Sequence, residues 1–136
     1  MPKIFTLICV ASAALASPLA FGQSWTPSKP VRIVVPASGG TVDLVARAVI
    51  PGLQQALGQS VIADAKPGAS GNIAATLVAK SPGDGHTILT GFNPLVISTF
   101  LSKNLQYDLQ KDLKPITLGV TSEQVLVVNS EVSVST

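Results

Sequence analysis

Two short runs of small residues carry most of the hydrogen-bonding chemistry in this chain. They are Ser38-Gly39-Gly40-Thr41 with Asp43 just beyond, and Gly68-Ala69-Ser70-Gly71-Asn72. Glycine lets the backbone turn tightly and brings its N–H groups to a surface. A turn that opens a helix also leaves the first N–H groups without intrahelical partners, and the helix dipole adds positive potential there. The combination is an anion site. Charge-assisted bonds of this kind contribute roughly 1.5–3 kcal/mol each, so two such turns can hold a carboxylate without an arginine. Asp43 complements the dipole of its helix, yet it repels an anionic ligand unless it caps the helix or meets a cation. A third loop, Gly91-Phe92-Asn93, adds Asn93 to the candidates.

No catalytic set accompanies these loops. The one histidine, His86, opens a predicted strand at the end opposite the loops, where a structural role is expected. Ser38 and Ser70 have no base nearby in sequence, and there is no GxSxG elbow. No Cys or His cluster offers a metal site, and no cofactor is expected. Gly68-x-x-Gly71 is not a dinucleotide fingerprint, and no GxxxxGK[ST] occurs. Asp64 and Asp84 read as turn formers. Each glycine turn could be no more than a tight connection; its recurrence at the same sheet edge favours a ligand site.

The elements that must place these loops repeat one device, strand then glycine turn then helix. Val31–Val35 is a nearly continuous apolar run, as in a strand buried on both faces, and Pro36 ends it. Leu44, Val45, Ala48, Val49 and Leu53 recur at helical spacing and predict the stripe that packs on that strand. Gly58 stops the helix. Ser60–Asp64 is the second strand, and Ile73, Ala74, Leu77 and Val78 mark the second helix. After the break at Ser81-Pro82-Gly83-Asp84-Gly85, His86–Gly91 is the third strand and Leu95–Leu101 a short third helix. Lys103–Lys114 reads as loop, and Ile116–Val120 and Gln124–Asn129 as two later strands. This order defines an α/β fold with a mostly parallel sheet flanked by helices, whose ligands sit outside the carboxyl ends of the strands.

With 46% hydrophobic, 12% charged and 4% aromatic residues, the 136-residue chain lies far from the disordered class. Its net charge of +2 is dispersed: Lys29, Arg32, Arg47, Lys66 and the later lysines form no basic face and read as solvated charges, so no nucleic-acid partner is expected. Lys3, the apolar run Ile4–Ala16 and the small residues to Gly22 follow the order of a secretory signal, with cleavage after Gly22 or at the alanines just upstream. About 13 apolar residues are too few to span a membrane comfortably. Cys9 leaves with that segment, so thiol chemistry is excluded from the mature chain. Trp25 is expected to pack the lead-in arm onto the domain.

Several stretches resemble, in collinear order, the Bug-type solute-binding proteins of tripartite tricarboxylate transporters. These are Pro27–Pro36, Gly39–Arg47, Leu57–Val61, Lys66–Ile73, Pro82–Thr87 and Tyr107-Asp108. The likeness runs from about Ser28 to Asn129. It implies an exported periplasmic receptor without enzymatic activity, whose two α/β lobes close on a small carboxylate. The receptor then delivers that ligand to membrane permease subunits, and it is a monomer when full length. Residues 1–22 are then a signal peptide. Residues 23–136 are part of the first lobe of a type II-like binding protein, incomplete because members of the family are longer.

Carried over by position, the resemblance implies ligand contacts from Gly39, Gly40, Thr41 and Asp43, and from Gly68, Ala69, Ser70, Gly71 and Asn72. Ser38 and Asn93 join them from the reading of the loops. Lys66 stands where the family usually has arginine, and His86 where tyrosine is usual, which leaves the ligand open. Two alternatives stand beside the receptor: a truncated, non-functional fragment of one, and a small exported α/β enzyme acting on acidic substrates.

Overall fold

The computed structural model describes residues 25–123, 125, 127–129, 131 and 132. The signal segment and its cleavage site lie outside the described residues. Three parallel strands form the sheet: β1 (Val31–Val35), β2 (Val61–Ala65) and β3 (Thr87–Leu89), in the order β2-β1-β3. Val31 pairs with Val61 and Val35 with Ala65 on one side of β1, while Arg32 pairs with Thr87 and Val34 with Leu89 on the other. The central strand is the apolar run foreseen from the sequence, and Val31, Val34 and Val35 are fully buried.

Helix α1 (Gly40–Leu57) joins β1 to β2, and α2 (Asn72–Ala79), entered through a single 3-10 turn at Ala69–Gly71, leads to β3. The chain therefore steps from β1 to one neighbour and then back across to the other. That reversal sends the two helices to separate apolar clusters. Val31, Ile33 and Val35 pack with Ala46 of α1 and with Val61. On the other side Ala75 of α2 packs with Leu95 of α3 (Asn93–Leu101) and with Tyr107, against Leu89, Phe92 and Leu105.

Two expectations are corrected. The buried face of α1 is Val42, Ala46, Ile50, Leu53 and Leu57, with only Leu53 shared with the predicted stripe. Leu44 is 69% and Val49 45% exposed. Both sets have helical spacing; docking on the sheet chooses between them, with the small Ala46 at the contact.

The later strands are also absent where they can be checked. Residues 116–120 are in no strand, and Ile116 and Leu118 are 75% and 78% exposed. Their alternation suits a half-buried strand, but among the described residues no neighbouring strand pairs with them; the segment passes beside Val45 instead. Gln124 and Leu126 lie outside the described residues, and the described residues around them are in no strand.

The helix stop and the packing of the lead-in arm match. Gly58 closes α1 in the left-handed conformation with φ 63°, as a C-terminal glycine should. Trp25 pins the lead-in arm by donating from Nε1 to the Asp84 carbonyl at 3.1 Å. Its ring meets His86 edge-on, with centroids 5.4 Å apart.

Candidate functional site

All three strand-to-helix loops lie at the carboxyl ends of parallel strands, so they share one edge of the sheet, on either side of the β1/β3 junction where the strand order reverses. Gly71 is where they meet. It is buried, with φ 88°, and a Cβ there would lie 2.6 Å from Phe92 Cε1, 3.0 Å from Pro36 Cβ and 3.1 Å from Leu95 Cδ2. Those neighbours come from the first loop, the third loop and α3. Only glycine permits this approach.

The first loop turns at Gly39 (φ 83°) and Gly40 (φ 74°), with open space where either Cβ would stand. Asp43 folds back on its own turn: its Oδ2 accepts the Gly39 N–H at 3.3 Å. Arg47, one helical turn further on, donates from Nε to both Asp43 oxygens at 3.0 Å. The Arg47 guanidinium holds the Asp43 carboxyl below its ordinary 3.8, and the Gly39 N–H adds to the effect. Asp43 thus caps its helix and meets a cation, which are the two conditions under which it stops repelling an anion. Ser38 and Thr41 are exposed, and their hydroxyls have no partner among the described residues.

The second loop carries four successive residues at positive φ: Gly68 (126°), Ala69 (47°), Ser70 (53°) and Gly71 (88°). The left-handed conformation costs a non-glycine residue roughly 1–2 kcal/mol, so Ala69 and Ser70 mark stored strain of the kind concentrated at binding sites. The Gly71 N–H is committed to the Gly68 carbonyl at 2.9 Å. The Ser70 hydroxyl is exposed and without a partner among the described residues. Lys66 pairs with Asp64 at 3.1 Å. Asn72, which opens α2, accepts a hydrogen bond at Oδ1 from the Tyr107 hydroxyl at 2.8 Å. Asn93 opens α3 from the third loop and is exposed.

The sequence-predicted residues therefore gather on one edge but divide in kind. Ser38, Thr41, Ser70 and Asn93 present free polar groups. Gly39 and Gly71 have their N–H groups engaged within the protein and shape the loops. Two residues escaped the sequence reading. Arg47 was counted as a solvated charge, although its i, i+4 spacing from Asp43 was the available signal. Tyr107 lies in the stretch that reads as loop, and nothing local announces its contact with Asn72.

Two shallow grooves flank the sheet. One of about 560 Å³ runs between the second loop and the segment after α3, lined by Ala69, Asn72, Ile73, Thr76 and residues 102–106. The other, about 340 Å³, lies at the opposite end of the sheet beside Lys29, Arg32, Asp84 and His86. Only the first touches the candidate loops. His86 is 8% exposed, and its Nδ1 lies 3.3 Å from Asp84 Oδ1, within ion-pair distance but outside hydrogen-bond geometry. Its burial and its edge-on contact with Trp25 fit the structural role expected for it. Among the described residues no group of three or more His, Cys, Asp or Glu side chains could hold a metal, and no helix is long and apolar enough to cross a membrane.

A parallel α/β sheet with convergent, glycine-rich, partly unpaired loops at its carboxyl edge is the architecture of a small-ligand binding lobe. A family model described as tripartite tricarboxylate transporter family receptor (TctC) matches residues 45–136, and the chain belongs to that family. The family consists of periplasmic solute-binding receptors. A UPF0065 protein of Bordetella bronchiseptica is 49% identical over 105 residues, covering 76% of this chain and 31% of that protein. Protein BugT of Bordetella pertussis is 34% identical over 125 residues, covering 90% of this chain and 38% of BugT. Among solved structures, MatC of Rhodopseudomonas palustris with bound malate superposes with a TM-score of 0.55 at 36% identity, covering 63% of this chain and 30% of MatC. The chain thus spans about a third of the length of the curated relatives it matches.

Proposed function

We propose that this chain supplies part of the first lobe of a periplasmic receptor that binds a small carboxylate, a di- or tricarboxylate or related organic acid, and hands it to the permease of a tripartite tricarboxylate transporter. In this reading residues 1–22 are removed on export and residues 23–136 belong to the lobe. The protein binds and releases its ligand unchanged, without a cofactor. The observation that carries the reading is the meeting of the three loops at Gly71, which brings free hydroxyls and helix-opening N–H groups to one edge of the sheet.

The geometry supports a division of roles. Ser38, Thr41, Ser70 and Asn93 donate side-chain hydrogen bonds. Gly40 opens α1, so its backbone and that of Thr41 offer N–H groups with no intrahelical partner. Gly39, Gly68, Ala69 and Gly71 hold the loops open. Asp43, neutralised by Arg47, caps the first loop; in a complex with an amino acid it could instead meet the ammonium group. The malate bound to MatC supports a carboxylate as ligand.

Thermal unfolding of the whole gene product against a panel of carboxylic acids, malate included, tests this. A ligand at 100 times its Kd stabilises the native state by about 2.7 kcal/mol and raises Tm accordingly. If no carboxylate or amino acid in the panel moves Tm, the receptor reading fails.

A further inference from the structure

We propose that Tyr107 is a positioning residue that fixes the Asn72 carboxamide with its NH2 group toward the groove beside the second glycine loop, making that wall a donor surface for a ligand carboxylate. The inference rests on the receptor reading above and adds what sets the polarity of the site. Asparagine offers one acceptor oxygen and two N–H donors on a single rotor, so whatever claims one end decides which end remains. The Tyr107 hydroxyl claims the oxygen, at 2.8 Å.

Tyr107 is well placed to do so. It is only 7% exposed, and its ring is packed with Ala75 and Leu95, so the hydroxyl is held at a fixed point. The phenol carries its proton at neutral pH, and burial pushes it further above its ordinary 10.0. Asn72 has no other side-chain partner among the described residues, and it lines the groove of about 560 Å³ together with Thr76 and Lys103. A donor wall with a lysine in the same groove suits an anion. The reverse arrangement, with the amide donating to the phenol, would turn the oxygen to the groove and disfavour a carboxylate. The two arrangements give opposite selectivity.

The test compares the affinities of the whole gene product for malate and for its neutral diamide, malamide, by calorimetry. The unmodified protein prefers malate. In Tyr107→Phe the amide is released, and the preference for malate over malamide falls about tenfold, the equivalent of one charge-assisted hydrogen bond. Asn72→Asp keeps an acceptor for Tyr107, and with it the tether, but turns an oxygen to the groove. It weakens malate about tenfold or more and malamide less. Equal loss of both ligands in Tyr107→Phe would mean a merely structural tyrosine and overturn the proposal. Malate binding by Asn72→Asp at the unmodified affinity would overturn it too, even where Tyr107→Phe fails to fold. If the unmodified protein binds no carboxylate at all, the receptor reading falls first and this one with it.

Discussion

Arg47 Nε lies 3.0 Å from both carboxylate oxygens of Asp43, so the acid in the first turn of α1 is met by the base one turn along the same helix. The pair changes what the first loop can hold. An unpaired Asp43 would repel a carboxylate; a neutralised one leaves the helix-opening N–H groups to set the potential.

Arg47→Met should therefore raise the Asp43 titration midpoint toward 3.8, since the guanidinium is the main cause of its depression. The contribution of Asp43 to stability is complete above 3.8 and is lost as pH falls through its lower folded value. In the variant most of that dependence disappears. Carboxylate affinity should drop as well, because Asp43 is then uncompensated. NMR titration of the Asp43 carboxyl and calorimetry on the same variant check both outcomes.

Asp84 should shape the acid limb of stability. The backbone N–H of His86 and then the Lys29 ammonium hold its carboxyl at about 2, against an ordinary 3.8. Its contribution is full above 3.8 and is lost as pH falls toward about 2. Asp43 and Asp108 are lowered too, so the limb is shared. The difference between the protein and Asp84→Asn isolates one carboxylate. Trp25, the only tryptophan, provides the readout, because its indole N–H bonds the Asp84 carbonyl.

Gly71→Ala should cost about 2–4 kcal/mol, combining an L-residue at left-handed φ with overpacking against Phe92, Pro36 and Leu95. Gly58→Ala meets the same left-handed conformation with open space around it, and should cost only about 1–2 kcal/mol. Urea titration of the two variants separates strain from crowding. Equal costs would show that the three loops do not meet at Gly71.

The rotation of α1 is open to a similar comparison. Leu44→Gln removes an exposed side chain and should change stability by no more than about 0.5 kcal/mol. Ala46→Leu forces bulk between α1 and the sheet and should destabilise by about 1–3 kcal/mol. The predicted stripe, had it faced inward, would reverse that order.

Much of the fold was legible because its determinants are local. The apolar run at Val31–Val35, the glycine at 58 and the two small-residue turns each specify strand, stop or turn within a few residues. Their repetition was enough to define parallel strands with the loops gathered on one edge. The candidate residues were legible for the same reason, since the need for glycine at Gly39 or Gly71 is a backbone property visible in composition. The stripe on α1 was misread because two sets of apolar residues share helical spacing, and only docking on the sheet chooses between them. The later strands failed because alternation in 116–120 states a preference for a half-buried face without supplying a partner strand.

The sequence by itself determined the element order as far as α3, the family and the chemistry of the loops, because short-range propensity and a collinear series of motifs encode them. Only the tertiary structure decided which of those groups are free and which are spent. The Gly71 N–H goes to Gly68, the Asp43 charge to Arg47 and the Asn72 oxygen to Tyr107. A group already engaged within the protein has less to offer a ligand, and the last of these bonds joins residues 35 positions apart, a distance over which local sequence carries no signal.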